Sequence, residues 1–165
     1  MRQEIPDPQV KDAAEQYFNA WKELYKLPPG SGVLLPLMNT ATVAIELYLK
    51  CLCSEKIFTP VDFEEGIFIV TAKPQKHGHD FIEIFKKIPE SYRYELTKQY
   101  TSFFENNSRN FEHIISELEG AFMQSRYPYE ADFDVSKFNL QDLCNLCEFL
   151  SNFVSNLEVT DTVYL

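Results

Sequence analysis

Three groups of residues bear side chains that chemistry could use. Arg109, Asn110 and His113 set an arginine one helical turn from a histidine, a pair able to hold a phosphate and move a proton in a metal-free ribonuclease. His77, His79 and Asp80 share the short segment HGHD, and imidazole and carboxylate are common transition-metal ligands. Glu46 and Lys50 stand four apart in the order that favours a helical ion pair. Each group also has a plainer account. Arg109 and His113 lie among Glu117 and Gln124 on a polar face, which solvent alone explains. Hydrogen bonding at a helix start explains a histidine beside an N-capping aspartate. With three histidines in the chain and no fourth ligand specified, neither metal nor cofactor is expected.

The elements that must position these groups read as helices. From Leu37 to Leu52, helical spacing puts Ala41, Ala44, Ile45, Tyr48 and Leu49 on one face, and Val43 and Leu47 make the opposite side apolar too. Only Asn39, Thr42, Glu46 and Lys50 form a narrow polar strip. A helix apolar nearly all round is a buried one, and each fully buried Leu or Ile stabilises by about 1.5 to 3 kcal/mol. A carboxylate within it needs a partner. Counted at about 100° per residue from Phe111, Arg126 falls beside Ile115 and Phe122 on the core side of its helix and is the partner expected for Glu46. On that expectation, removing Arg126 costs about 3 to 5 kcal/mol. A structural salt bridge is the plainer account of Arg126, and a ligand-binding role the sharper one.

Around this helix, Val10 to Tyr25 is amphipathic and closes before Pro28, while Pro36 is tolerable in the first turn of the central helix. The helical period vanishes between Glu55 and Lys76, an insert that is irregular or a short β-hairpin. Further helices carry Phe81 to Ile88, Tyr92 to Phe103, Phe111 to a stop at Pro128, and Leu140 to Leu157. The sum is an all-α bundle of about six helices with short connections that favour antiparallel neighbours, in one domain spanning 1–165.

Composition limits the function. No apolar run approaches about 18 residues and no leader pattern is present, so a cytoplasmic chain without a membrane partner is expected. Cys51, Cys53, Cys144 and Cys147 read as reduced core thiols. A net charge of −10 argues against broad electrostatic binding of nucleic acid, and no DNA partner is expected. A single nucleotide, or RNA at a local basic pocket, stays compatible with it. Aromatics at 15% hint at self-association.

Three landmarks occur in order: AIELYLKCL on a helix, HGHDF opening the next, and SRYPYE closing a later one. Their order and spacing resemble the HEPN domain, a helical-bundle family found with nucleotidyltransferases, in toxin–antitoxin pairs and in phage-defence proteins. The resemblance covers roughly residues 10 to 157. It implies an up-and-down bundle, commonly dimeric, with Glu46, His79, Asp80, Arg126 and Tyr127 near one another around a ligand. Active ribonucleases of the family separate their arginine and histidine by more than the three residues between Arg109 and His113, and no histidine follows Arg126. The expectation is therefore a non-catalytic nucleotide-binding or regulatory partner subunit, as a homodimer or beside a nucleotidyltransferase. The alternatives are a metal-independent endoribonuclease with Arg109 and His113 in a composite dimer site, and a pure protein-interaction module.

Overall fold

The computed structural model, which describes residues 2–61, 66–75, 78–104, 110–130 and 134–163, is mostly helical with one small sheet. In chain order the elements are β1 (Arg2–Ile5), α1 (Pro8–Tyr25), α2 (Leu34–Cys51), β2 (Ser54–Pro60), β3 (Phe68–Pro74), α3 (Phe81–Phe85), α4 (Glu90–Phe103), α5 (Phe111–Glu117), α6 (Ala121–Arg126), α7 (Leu140–Ser155) and β4 (Thr160–Val163). A single 3-10 turn, Val135–Lys137, precedes α7.

Helix α2 is the hub, packed against α1, α3, α6 and α7. Ten of its 18 residues are buried, among them Thr42 and Glu46 from the polar strip. Pro36 falls in its first turn, where the missing N–H removes no intrahelical bond. Helix α1 starts at Asp7, whose Oδ1 accepts the N–H groups of Gln9 and Val10 at 3.0 and 3.1 Å. The Asp7 N–H in turn donates to the carbonyl of Cys51 at 2.8 Å, tying the start of α1 to the end of α2. Asn139 caps α7 in the same way through Gln141 and Asp142.

The apolar faces meet in one cluster of buried residues. Trp21 stacks between Phe18 and Tyr25 with ring centroids 5.4 and 5.2 Å away. Tyr100 of α4 meets Phe111 of α5 and Phe149 of α7 edge-on at 5.6 and 5.0 Å. Much of the aromatic content thus fills the interior, while Phe58, Phe68 and Ile69 on the hairpin remain exposed. Among the described residues no helix is long and apolar enough to cross a membrane.

Three expectations need correction. The fold is not purely helical: β2 and β3 form the hairpin foreseen in the insert, but it continues through β1 and β4 into a four-stranded antiparallel sheet of order β3-β2-β1-β4. The two added strands are four residues long, too short to give a period, and they come from opposite ends of the chain. The bundle has seven α-helices among the described residues rather than six. The extra helix arises because the stretch from Phe111 to Arg126 is not continuous. It breaks after Leu118, and Gly120 takes a left-handed backbone (φ 84°) before α6 begins.

A Cβ at residue 120 would meet no atom within 4 Å, so its cost is conformational alone. We expect Gly120→Ala to lower stability by about 1 to 2 kcal/mol, the cost of an L-residue in the left-handed region, read as an earlier urea midpoint. An unchanged midpoint would show that the break can relax into a continuous helix.

Candidate functional site

The site is built on the one acidic side chain that α2 buries. Glu46 is 6% exposed, and both its oxygens are occupied. Oε1 accepts from Lys50 Nζ at 2.6 Å, one turn further along the same helix. Oε2 lies 2.5 Å from His79 Nδ1. A carboxylate accepts, so the ring presents Nδ1–H to it and leaves Nε2 for other partners.

The approach to α3 holds His79 in place. Asp80 is the N-cap, its Oδ1 accepting the Glu83 N–H at 2.8 Å. From the other side the ring of Phe122, on α6, stacks on the imidazole with centroids 3.9 Å apart and planes 28° apart. Arg126, one turn beyond Phe122, lays its guanidinium 5.7 Å over that same ring and 5.5 Å over Tyr127. Glu46, His79, Phe122, Arg126 and Tyr127 thus form a continuous line of contacts, with Asp80 beside it.

Next to this line lies a shallow cavity of about 270 Å³, lined by His79, Asp80, Glu119, Gly120, Phe122 and Met123. The carboxyls of Glu119 and Asp80 neighbour each other. Desolvation first, then Asp80, then the charge of Glu83 hold the Glu119 carboxyl above the ordinary glutamate value, with Lys86 pulling the other way.

Arg126 is not where it was expected. Its residue is exposed and the oxygens of Glu46 go to Lys50 and His79 instead. The helical count from Phe111 assumed one unbroken helix, and the left-handed turn at Gly120 resets the phase before α6. Phe122 keeps its inward position, while Arg126 swings outward onto the ring.

The other candidates stay apart from this line. His113 is exposed on α5 with Nε2 3.3 Å from Glu117. The Oδ1 of Asn110 caps the same helix, accepting the His113 N–H at 2.8 Å. Arg109 and His77 lie outside the described residues. Among those described, no group of three or more His, Cys, Asp or Glu is placed to hold a metal. The four thiols are buried and free, and burial pushes Cys144 up to about 11 and Cys53 up to about 12, well away from the reactive thiolate.

Sequence reasoning missed Glu119 and Met123 and read Phe122 only as core. An acidic residue directly before a glycine, in the middle of an otherwise helical pattern, was the available sign of a helix end facing a pocket. Family models, curated proteins and solved structures give no significant match to this chain.

Two predictions follow from this geometry. Glu46→Ala leaves the largely buried Lys50 ammonium without its carboxylate, an expected loss of about 3 to 5 kcal/mol. Arg126→Ala should stay within about 0.5 kcal/mol, as exposed substitutions do. Urea unfolding of the two variants separates them, and equal losses would return Arg126 to the core. For pH, the folded-state value of Glu119 lies above its ordinary 4.5, so the folded chain keeps that proton longer than the unfolded one. Its stabilising contribution is complete below 4.5 and disappears as pH rises past the raised value. Glu119→Gln should abolish that part of the stability–pH curve and unfold later than the parent at neutral pH. Superimposable curves would show that the fold leaves the Glu119 carboxyl at its ordinary value.

Proposed function

We propose that this chain is a HEPN-like, non-catalytic module that binds a nucleotide in the cleft formed by Glu46, His79, Asp80, Arg126 and Tyr127 and serves a partner or regulatory role. The observation that carries this is the Glu46–His79 contact. It joins two of the landmark segments, 33 residues apart in sequence, and His79 lines a cavity. A buried carboxylate that fixes one nitrogen of an imidazole and leaves the other open is the arrangement by which proteins orient a binding histidine. Arg126 and Tyr127 supply the cation and aromatic surface that a nucleotide's phosphate and sugar or base can use. The up-and-down bundle and the homodimer belong to the same proposal.

A specific observation supports a second reading, a protein-interaction module. Phe68 and Ile69 on the outer hairpin strand are 51% and 57% exposed, and apolar edge strands of this kind invite pairing with another chain. The endoribonuclease alternative has less support, since the exposed His113 side chain faces Glu117.

The test is titration calorimetry of the purified protein with nucleoside monophosphates, with His79→Ala beside it and sedimentation to read the oligomer. Binding to the parent that is lost in a folded His79→Ala is the expected result. Heat-silent titrations at millimolar nucleotide would remove the nucleotide reading. Cleavage of RNA in EDTA that disappears in His113→Ala would replace it with the endoribonuclease.

A further inference from the structure

The hairpin of β2 and β3 shows apolar side chains on both of its faces. Its register pairs Ile57 with Thr71 and Thr59 with Ile69 on one face, and Phe58 with Val70 and Pro60 with Phe68 on the other. Ile57, Phe58, Phe68 and Ile69 are all exposed, so neither face is sealed by the helical body. Strand β3 is also an edge of the sheet. Proteins blunt such edges with charge, proline, bulges or short strands. The other edge, β4, is four residues long and carries Asp161. Strand β3 is seven residues long, and from Phe68 to Ala72 it holds neither charge nor proline, in a chain of net charge −10.

The ladder with β2 decides which backbone groups this edge offers. The Val61 N–H donates to the Ile67 carbonyl at 3.1 Å, so these two residues are a hydrogen-bonded pair. By alternation Thr59 with Ile69 and Ile57 with Thr71 are hydrogen-bonded pairs as well. Phe68, Val70 and Ala72 fall between them and turn both N–H and C=O outward. One of those carbonyls, that of Val70, accepts Gln9 Nε2 at 3.2 Å, an exposed contact that a strand N–H can replace. Pro74, the next outward position, has no N–H and closes the run.

We infer that β3 pairs antiparallel with β3 of a second copy, about a two-fold axis at Val70. This register sets Val70 opposite Val70 and Phe68 opposite Ala72, so all three outward N–H groups of each copy find a carbonyl. A two-fold at Thr71 instead sets Phe68 opposite Pro74 and loses a donor. The side chains fit the first register too. Phe58, Val70, Val70 and Phe58 run across the four central strands as one apolar row, large Phe68 lies opposite small Ala72, and Ile69 lies opposite Thr71. Lys73, the one charge on β3, comes opposite Ile67 of the second copy, at the end of the arm that leads into the acidic sequence DFEE, residues 62–65. The two lysines stay about 20 Å apart, at roughly 3.4 Å per residue. An edge whose large, small and charged positions complement one another under a two-fold has the self-complementarity of an isologous interface. The inference rests on the homodimer proposed above and deepens it by assigning its interface; it does not involve the cleft at His79.

The test is sedimentation velocity of the full chain over a concentration series, repeated on Val70→Pro. The Val70 N–H faces away from β2, so proline there removes only the outward donor and leaves the hairpin ladder intact. The variant should dimerise about tenfold or more weakly, because each copy loses a strand bond and leaves a carbonyl without its donor. Its urea midpoint, taken at a dilution where both proteins are monomers, reports the fold. A nitroxide on Lys73→Cys, in a chain whose four native thiols are buried, gives a readout that does not need the proline variant: the label of the second copy should lie about 20 Å away. A dimer that a folded Val70→Pro leaves intact, or labels far from that separation, would overturn the β3 interface and leave the homodimer standing. A monomer at every concentration would remove the homodimer and this inference together.

Discussion

A carboxylate buried in the side of an otherwise apolar helix has to be given partners, and much of this molecule is arranged around that requirement at Glu46. Isolating the charge would cost several kcal/mol, so both oxygens are engaged, one by Lys50 from the same helix and the other by His79 from a different part of the chain. The first contact is local and would exist in any helix carrying the same spacing. The second is tertiary: it fixes where the segment before α3 crosses α2. Once His79 is held there, the position of Phe122 against the imidazole follows, and with it the seat of α6.

One aromatic ring thereby serves two groups of opposite character. Phe122 belongs to the interior by its burial, yet its faces and edges carry the imidazole of His79 and the guanidinium of Arg126. A cation near a ring is stabilised by the ring's quadrupole and stays hydrated on its outer side. The molecule thus keeps a positive charge close to an acidic cavity without neutralising that cavity by a salt bridge. Two carboxyls line the cavity and a guanidinium lies on the ring beside it, so the two signs of charge sit around one phenyl ring.

Much of the scaffold was legible in the residues. The all-round apolar character of Leu37 to Leu52 announces a central helix, and Asp7, Asp80 and Asn139 stand where the helices they cap begin. The spacing of Glu46 and Lys50 was visible too, although its importance depends on burial, which the spacing does not encode. The terminal strands were not legible, because four-residue segments paired between opposite ends of the chain leave no local period. Arg126 was misplaced for a different reason. Helical phase accumulates along a sequence, and the turn at Gly120 erases it, so every angular inference across that glycine fails while those on either side survive. Glu119, beside the same glycine, went unnoticed because its significance lies in the carboxyl it faces, 39 residues earlier in the chain.

The pairing of β1 with β4 also has a mechanical meaning. Arg2 lies opposite Val163 and Ile5 opposite Thr160, so the chain enters and leaves the ladder at the same end. Tension applied between those two points opens the antiparallel ladder one rung at a time, like a zip, instead of shearing all its rungs at once. Behind the last rung is Ile5, already part of the buried cluster, and then the Asp7 contact that joins the start of α1 to the end of α2. An unfolding machine pulling on those two ends would therefore meet little resistance over the ladder and a sharp rise at residues 5 to 7, where force first begins to act on the helical core.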